Sequence, residues 1–445
     1  AATTLGCKVN QAETDSMLDM LKAAGANIVE FDEKADIYIV NTCSVTNIAD
    51  KKSRQMLHRA RKMNPDGIVI AAGCYVQSAR EILEQDEAID IVISNNKKKS
   101  ITEIVNDYIN VRNNEKNAPG KDHEAMEYFV DISRETEYEE MGGHVPVGHT
   151  RAYVKIQDGC NQFCSYCIIP YVRGRIRSRS QEAILAEVSE LAEAGIKEVV
   201  LTGIHISSYG KDKNNEGALI ELIEAISKIK GIKRIRLGSL EPGIITEEFV
   251  ERISSNSKVC PHFHLSLQSG CDSVLKRMNR KYTCKQYFEK CDMLRKAYKS
   301  PALTTDVIVG FPGETEEEFA ETVRYLTELN LYEMHIFKYS PRKGTVAAAM
   351  KEQVAPEIKN ERSDVLLKLA HDNKTAYEAQ FEGCELEVLV EEVVKKDNKT
   401  YLRGHTERYM DILIDVGDIS MPESFVNSFV YVTYTQNGGN LPLLL

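Results

Sequence analysis

The chain has 445 residues, enough for two to four domains with separate cores. A net charge of −11 excludes an overall electrostatic grip on nucleic acid, so any RNA contact has to come from local basic patches. No apolar run is long enough to span a bilayer, no signal-like segment opens the sequence, and eleven scattered cysteines fit the reducing cytoplasm better than a disulfide framework.

Residues 1–110 alternate strand-like runs (3–6, 36–40, 68–72, 89–93) with helical ones (11–24, 48–63, 77–84), the pattern of a parallel sheet between helices. Cys7, Cys43 and Cys74 each follow directly on a strand's carboxyl end. Those ends share one edge of an open parallel sheet, where ligands bind. Any one of the three reads as packing, but three at equivalent ends point towards an iron–sulfur site on three thiols. Lys51, Lys52, Arg54, Arg59, Arg61 and Lys62 crowd the second helix, as a solvated face or an RNA contact. Residues 111–148 lack periodicity and read as a linker, with Glu135, Glu137, Glu139 and Glu140, then Gly142, Gly143 and Pro146.

Residues 149–370 resume the alternation, with six strands predicted over 152–157, 198–201, 234–237, 262–267, 304–309 and 333–337. This suggests a partial (β/α)6 barrel with its site at the strand carboxyl ends. Just past the first strand stand Cys160, Cys164 and Cys167, with Tyr166 before the last. A tetrahedral zinc site wants a fourth close ligand. Three thiolates instead suit a cubane iron–sulfur cluster with one open iron, able to chelate the amino and carboxylate groups of S-adenosylmethionine (SAM). Arg173, Arg175, Arg177 and Arg179 follow at period two, which in an extended run places them on one face towards backbone phosphates. After a helix over 358–381, short strand-like runs within 371–437 suggest a small antiparallel β-barrel. It is acidic (Glu385, Glu387, Glu391, Glu392, Asp411, Asp415, Asp418), so a strong grip on phosphate is not expected of it as a whole.

The spacing Cys160-x3-Cys164-x2-Cys167 resembles the radical SAM signature. Together with Leu5-Gly6-Cys7-Lys8-Val9-Asn10-Gln11, Asn41-Thr42-Cys43 and Gly73-Cys74-Tyr75, nearly the whole chain resembles the methylthiotransferases, which join such domains to an RNA-binding TRAM domain. The resemblance implies a transferase of sulfur-containing groups with two [4Fe-4S] clusters, on Cys7, Cys43 and Cys74 and on Cys160, Cys164 and Cys167. SAM would serve as radical source and methyl donor. It places Gly203 at the methionyl amino group, Ser239 and Glu241 near ribose or methionyl polar groups, and Phe311 on the adenine side, with Gln268 and Asp306 at the same mouth.

Gly-Cys-Lys-Val-Asn-Gln is similar to the branch acting on N6-threonylcarbamoyladenosine at position 37 of tRNA. That branch implies tRNA, an electron donor such as flavodoxin or ferredoxin, and a sulfur source as partners. Lys8 and Arg342 are candidates for meeting the substrate carboxylate, and Arg403, with residues 404–406, 408 and 409, for facing RNA. Other readings are the isopentenyladenosine branch, the branch modifying a ribosomal-protein aspartate, and a non-catalytic RNA-binding iron–sulfur protein.

Overall fold

The computed structural model describes residues 1–115, 125–142, 150–397, 399–417, 421–435 and 439–440. Gly143, Pro146 and Asp418, named above, lie outside them.

The N-terminal sheet is parallel in the order β1 (Ala2–Thr4), β2 (Ile37–Thr42), β3 (Ile68–Gly73), β4 (Ile91–Ile93) and β5 (Met126–Tyr128). Helices α1 (Lys8–Ala23), α2 (Asn47–Met63), α3 (Cys74–Ser78), α4 (Arg80–Glu84) and α5 (Ile101–Glu115) complete it. Helices cover both faces, so β3 is buried at every residue and its sequence is apolar without alternation. Leu57 and Ala60 of α2 pack on one face, and Met17 of α1 and Ile104 of α5 on the other. Two local expectations are corrected. The helix expected over 77–84 is two short helices, broken at Ala79, whose φ of −139° and ψ of 35° are not helical. The expected linker supplies β5, too short and too little buried to announce itself by periodicity.

The central domain contains β6 (Arg151–Asp158), α6 (Ile169–Arg173), β7 (Arg177–Ser178), α7 (Gln181–Glu193), β8 (Glu198–Gly203), α8 (Ala218–Ser227), β9 (Arg234–Leu237) and α9 (Glu247–Ser254). It continues through β10 (His262–His264), α10 (Asp272–Arg277), α11 (Cys284–Ala297), β11 (Ala302–Val309), α12 (Glu316–Leu329), β12 (Glu333–Lys338) and α13 (Pro356–Ala379). Its strands run β7-β6-β8-β9 and β10-β11-β12, joined by parallel bridges Ile235–Val259 and Leu240–Leu265. This is a partial barrel of six parallel strands, with β7 as a short antiparallel edge. Alternate residues such as Val154, Leu201, Phe263, Val307 and Met334 join the large core under the helices. The other set (Tyr153, Lys155, Glu198, Arg236, His264, Asp306) turns to a polar lumen.

The C-terminal unit is a closed barrel of β13 (Glu385–Lys396), β14 (Lys399–Thr406), β15 (Asp411–Asp415), β16 (Phe429–Thr433) and β17 (Gly439–Asn440) around Val388, Leu402, Ile412, Ile414 and Val432. No described helix is long and apolar enough to cross a membrane.

Candidate active site

The loop holding Cys160, Cys164 and Cys167 is fixed from several sides. The Ser165 backbone N–H donates to the Met278 carbonyl at 3.0 Å, and Asn279 donates to the Phe163 carbonyl at 2.9 Å, with Phe163 at φ 49°. The Gln162 backbone N–H donates to Cys160 Sγ at 3.4 Å, and Arg280 to Cys164 Sγ at 3.2 Å. Burial pushes the Cys160 thiol up to about 11 and the Cys167 thiol up to about 12. Both stay protonated at neutral pH until a metal displaces the proton. None of the three belongs to a ligand group, among the described residues, convergent enough for a single ion. Separated thiols with donors aimed at sulfur fit an iron–sulfur cluster and not a lone zinc.

Of the expected cofactor residues, Glu241 reaches the cysteine loop through Arg280, whereas the Asp306 side chain stands 3.3 Å from His264 in the lumen. Glu241 accepts from Arg280 at 2.8 Å and lies 3.7 Å from His205. Burial alone would raise its carboxyl, but the His205 bond and the Arg280 charge hold it below the usual range. Ser239, two positions before Glu241, is exposed. Gly203 ends β8 where a Cβ would come 3.0 Å from the Gln157 carbonyl. Gln268, at φ 75°, donates its backbone N–H to the Asp306 carbonyl at 2.9 Å. A non-glycine residue held there is strained by about 1–3 kcal/mol, a common mark of functional sites. A cleft of about 470 Å³ is lined by Gln162, His205, Ser207, Glu241 and Tyr282, room for a nucleoside-sized ligand. Phe311 departs from expectation. It is fully buried, packed edge-on to Tyr339 and beside Tyr166, so it supports Tyr166 and does not line the mouth.

The second set assembles as the strand ends suggest. Cys7 caps α1, Cys43 follows β2, and Cys74 opens α3. The sulfurs lie close enough to act electrostatically on one another, and burial raises Cys43 to about 11. Gly6 makes this convergence possible. At φ 102°, a Cβ there would stand 2.8 Å from Cys43 Sγ.

The two sets are joined through six residues. Cys167 leads through Ile168 into α6, Ile168 and Val172 pack on Cys74, and Arg173 ends that helix with Nε 3.2 Å from Cys74 Sγ. Arg173, 0% exposed, also binds Asn10, Glu13 and Asp158. Glu13 further binds Lys155 and Lys98, and Arg177 lies 3.8 Å from Asp158. Burial would raise the Glu13 carboxyl, but Arg173, Lys155 and Lys98 hold it well below the usual range. Two carboxylates thus face four cations. Adding buried Glu139, which accepts from the Lys99 backbone N–H, still leaves cations in excess. Buried charge demands compensation, and three thiolates carrying an anionic cluster supply it, so these residues fit that group.

Several expected RNA contacts are therefore corrected. Arg173, Arg177 and Arg179 are buried, because α6 and the Gly174 turn break the extended run, and only Arg175 is exposed, over the Phe163 ring. Arg342 is 7% exposed and binds Asp50 at 2.7 Å and Ser44 and Asn47 at 2.8 Å each, anchoring the segment after Cys43. That guanidinium is already neutralised and does not wait for a substrate carboxylate.

The stretch from 404 to 409 docks on the barrel. Arg234 and Arg236 donate to the carbonyls of His405 and Glu407, Arg408 binds the Ser300 carbonyl, and Tyr409 stacks on His262 at 5.3 Å. Arg403 stays exposed but paired with Asp411 at 2.7 Å. Lys8 lies 5.7 and 5.8 Å from the Tyr153 and Tyr409 rings, beside a cleft of about 480 Å³ that also reaches Cys7. Arg280, His205, Glu13, Lys155, His264 and His335 were not singled out in the sequence. No local motif marks them, although Arg280 follows Asn279, whose φ of 61° ends α10 sharply.

The radical SAM superfamily profile matches residues 154–326, and the Uncharacterized protein family UPF0004 profile residues 1–94. The chain is 39% identical over 411 residues to the threonylcarbamoyladenosine tRNA methylthiotransferase MtaB of Bacillus subtilis, covering 92% of this chain and 89% of that one. It is 37% identical to the Aquifex aeolicus protein of the same description (93% and 97%) and 35% identical to the tRNA-2-methylthio-N(6)-dimethylallyladenosine synthase of Thermoanaerobacter pseudethanolicus (97% and 90%). Among solved structures, the radical SAM methyltransferase TsrM from Kitasatospora setae aligns with a TM-score of 0.54 at 15% identity, over 74% of this chain and 73% of that one, a likeness of fold. A relative matched over 92% of this chain at this identity, a radical SAM profile on the barrel and the UPF0004 profile on the N-terminal sheet give one conclusion: the chain belongs to the radical SAM methylthiotransferases, in the MtaB branch.

Proposed function

We propose that this enzyme inserts sulfur and a methyl group at C2 of N6-threonylcarbamoyladenosine 37 in tRNA, with a [4Fe-4S] cluster on each three-cysteine set and SAM as both radical source and methyl donor. The observation that carries it is the single clasp, Ile168 to Arg173, that ties the barrel set to Cys74. With cofactors bound, the barrel site supplies a carbon radical able to take hydrogen from an unreactive C–H, and the N-terminal site supplies the sulfur carrier. The chain's part is positioning. Arg280 and Glu241 orient the mouth, Arg173 balances charge at the N-terminal thiols, and Arg342 holds the segment after Cys43. Exposed Arg175, with Lys51, Lys52 and Arg54 on the outer face of α2, offers cations to tRNA phosphates. A low-potential donor such as flavodoxin or ferredoxin supplies electrons.

The test is mass spectrometry of tRNA nucleosides from a strain lacking the gene, with reconstituted protein added back. Loss and return of the methylthio group on threonylcarbamoyladenosine supports the reading. An unchanged nucleoside profile overturns it. The dimethylallyladenosine relative at 35% identity supports a second reading, and a change confined to isopentenyladenosine would select that one.

A further inference from the structure

The lumen holds a polar cluster of which only Asp306 was given a part above, as an expected cofactor-side residue. On β10 to β12, His264 pairs in register with Thr304, and Asp306 with His335. Their neighbours Phe263, Leu265, Val307 and Met334 point the other way, into the core beneath the helices. Ligand atoms of His264, Asp306 and His335 all lie within 4.8 Å of one another. His264 is fixed from behind by Thr304 Oγ1, 3.0 Å from its Nδ1, and stacks on His335 at 5.8 Å. Its Nε2 is buried, 3.3 Å from Asp306 Oδ2, yet makes no hydrogen bond. His262 Nδ1 is likewise buried and unpartnered. Native proteins seldom leave buried polar atoms unsatisfied, and where they do a ligand is a ready explanation.

The surrounding charge decides what kind of ligand fits. Glu198 neutralises Arg236, and Glu391 neutralises Arg151. Lys8, reaching in from α1, has no carboxylate partner among the described residues and lies among Tyr153, Tyr409 and Arg151. A divalent cation would be repelled by Lys8, and His335 has no hydrogen-bond partner among the described residues to orient it as a metal ligand. A group that both accepts and donates hydrogen bonds and carries negative charge meets every open valence.

We infer that His264, Asp306 and His335 form the subsite for the polar substituent on N6 of the target adenine, the two imidazoles donating to its carboxylate and Asp306 accepting from its hydroxyl or urea N–H. This deepens the function proposed above and rests on it. The cluster would then be the specificity filter, with Lys8 completing the charge balance. A hydrocarbon substituent would leave the buried His264 Nε2 unpaired, whereas Asp306 and the exposed His335 could turn to water. Discrimination should therefore fall below the roughly 10⁴–10⁵-fold reached by sites whose hydrogen-bonding groups are all buried.

The experiment compares wild type with His335→Phe and His264→Gln, reconstituted with both clusters. The substrates are tRNAs bearing threonylcarbamoyladenosine, isopentenyladenosine or plain adenosine at position 37. Readouts are methylthio product, SAM cleavage without tRNA, iron content and tRNA affinity. His335→Phe should lower kcat/KM on the threonylcarbamoyl substrate by about 10–100-fold, the loss of one charge-assisted hydrogen bond, and narrow the preference over isopentenyl tRNA. Iron, SAM cleavage and tRNA affinity should stay within about two-fold. His264→Gln, which keeps one donor, should lose less. Equal turnover by wild type and His335→Phe overturns the inference while leaving the proposed function intact. One equivalent of zinc or manganese held by cluster-free wild type and lost in His335→Phe overturns it in favour of a metal site. A wild type that modifies none of the three tRNAs overturns the proposed function itself.

Discussion

The two three-cysteine sets use the same donors in opposite ways. The barrel set lies within eight consecutive residues, on a loop that local hydrogen bonds and Arg280 hold in shape. The N-terminal set gathers thiols 36 and then 31 positions apart (7 to 43 to 74), and its charge balance comes from Arg173 of the other domain. A contiguous site depends mainly on its own loop. An assembled site depends on the strand ends that carry it and on the docking that completes it.

That contrast is broken most severely at the thiols. Cys164→Ala should reduce SAM cleavage and methylthio product to the detection limit. Cys43→Ala should keep SAM cleavage and lose only the product, and product from Cys43→Ala would show that the N-terminal set carries no sulfur.

Removing the clasp comes next. Arg173→Met removes the guanidinium that reaches Cys74 Sγ and Asn10, while Lys98, Lys155 and Arg177 still face Glu13 and Asp158, so the loss should fall on the N-terminal thiols and not on the fold. Iron in the reconstituted variant should fall from about eight to about four per chain, with SAM cleavage retained. Full iron loading would mean that the N-terminal set does not need the barrel.

Gly6→Ala tests convergence of the strand ends more gently. The strained φ costs about 1–3 kcal/mol, and the new methyl presses on Cys43 Sγ. Product should fall several-fold, with thermal stability of the barrel domain unchanged.

Charge reversal then separates surface from clasp. Arg175→Glu should weaken tRNA binding modestly and flatten the log–log salt slope by about one. Arg177→Glu should lower the melting temperature instead, because that side chain is 1% exposed.

The smallest effect is expected from pH. Glu13 and Asp158 have depressed folded pKa values, set against burial by Arg173 and Lys155. Such groups contribute stability above their unfolded pKa, about 4, and lose it as pH falls through the lower folded value. Stability measured by chemical denaturation should therefore show no loss from the clasp between pH 7 and 5. A loss in that window would mean that the network is not ionised as described.

The sequence by itself determined the parts. Apolar runs at sheet and helix periods specified both β/α domains, and strand-end positions placed Cys7, Cys43 and Cys74 on one edge, because parallel strands share their direction. The spacing of Cys160, Cys164 and Cys167 fixed a local three-thiol site without reference to the rest of the chain. Only tertiary structure decided which charges are buried. Arg173 and Arg175 stand two positions apart, yet one turns inward to Cys74 and the other faces solvent, because α6 and Gly174 replace the extended backbone that period-two reasoning assumes. Arg342 and the stretch from 404 to 409 looked like free recognition surface and instead bind the neighbouring domains. His264, Asp306 and His335, drawn from three separated segments, meet only because β10, β11 and β12 lie side by side in register. Charge and hydrogen-bonding capacity are written residue by residue, but desolvation, which decides whether a cation is a clasp or a surface, depends on what the folded chain places around it.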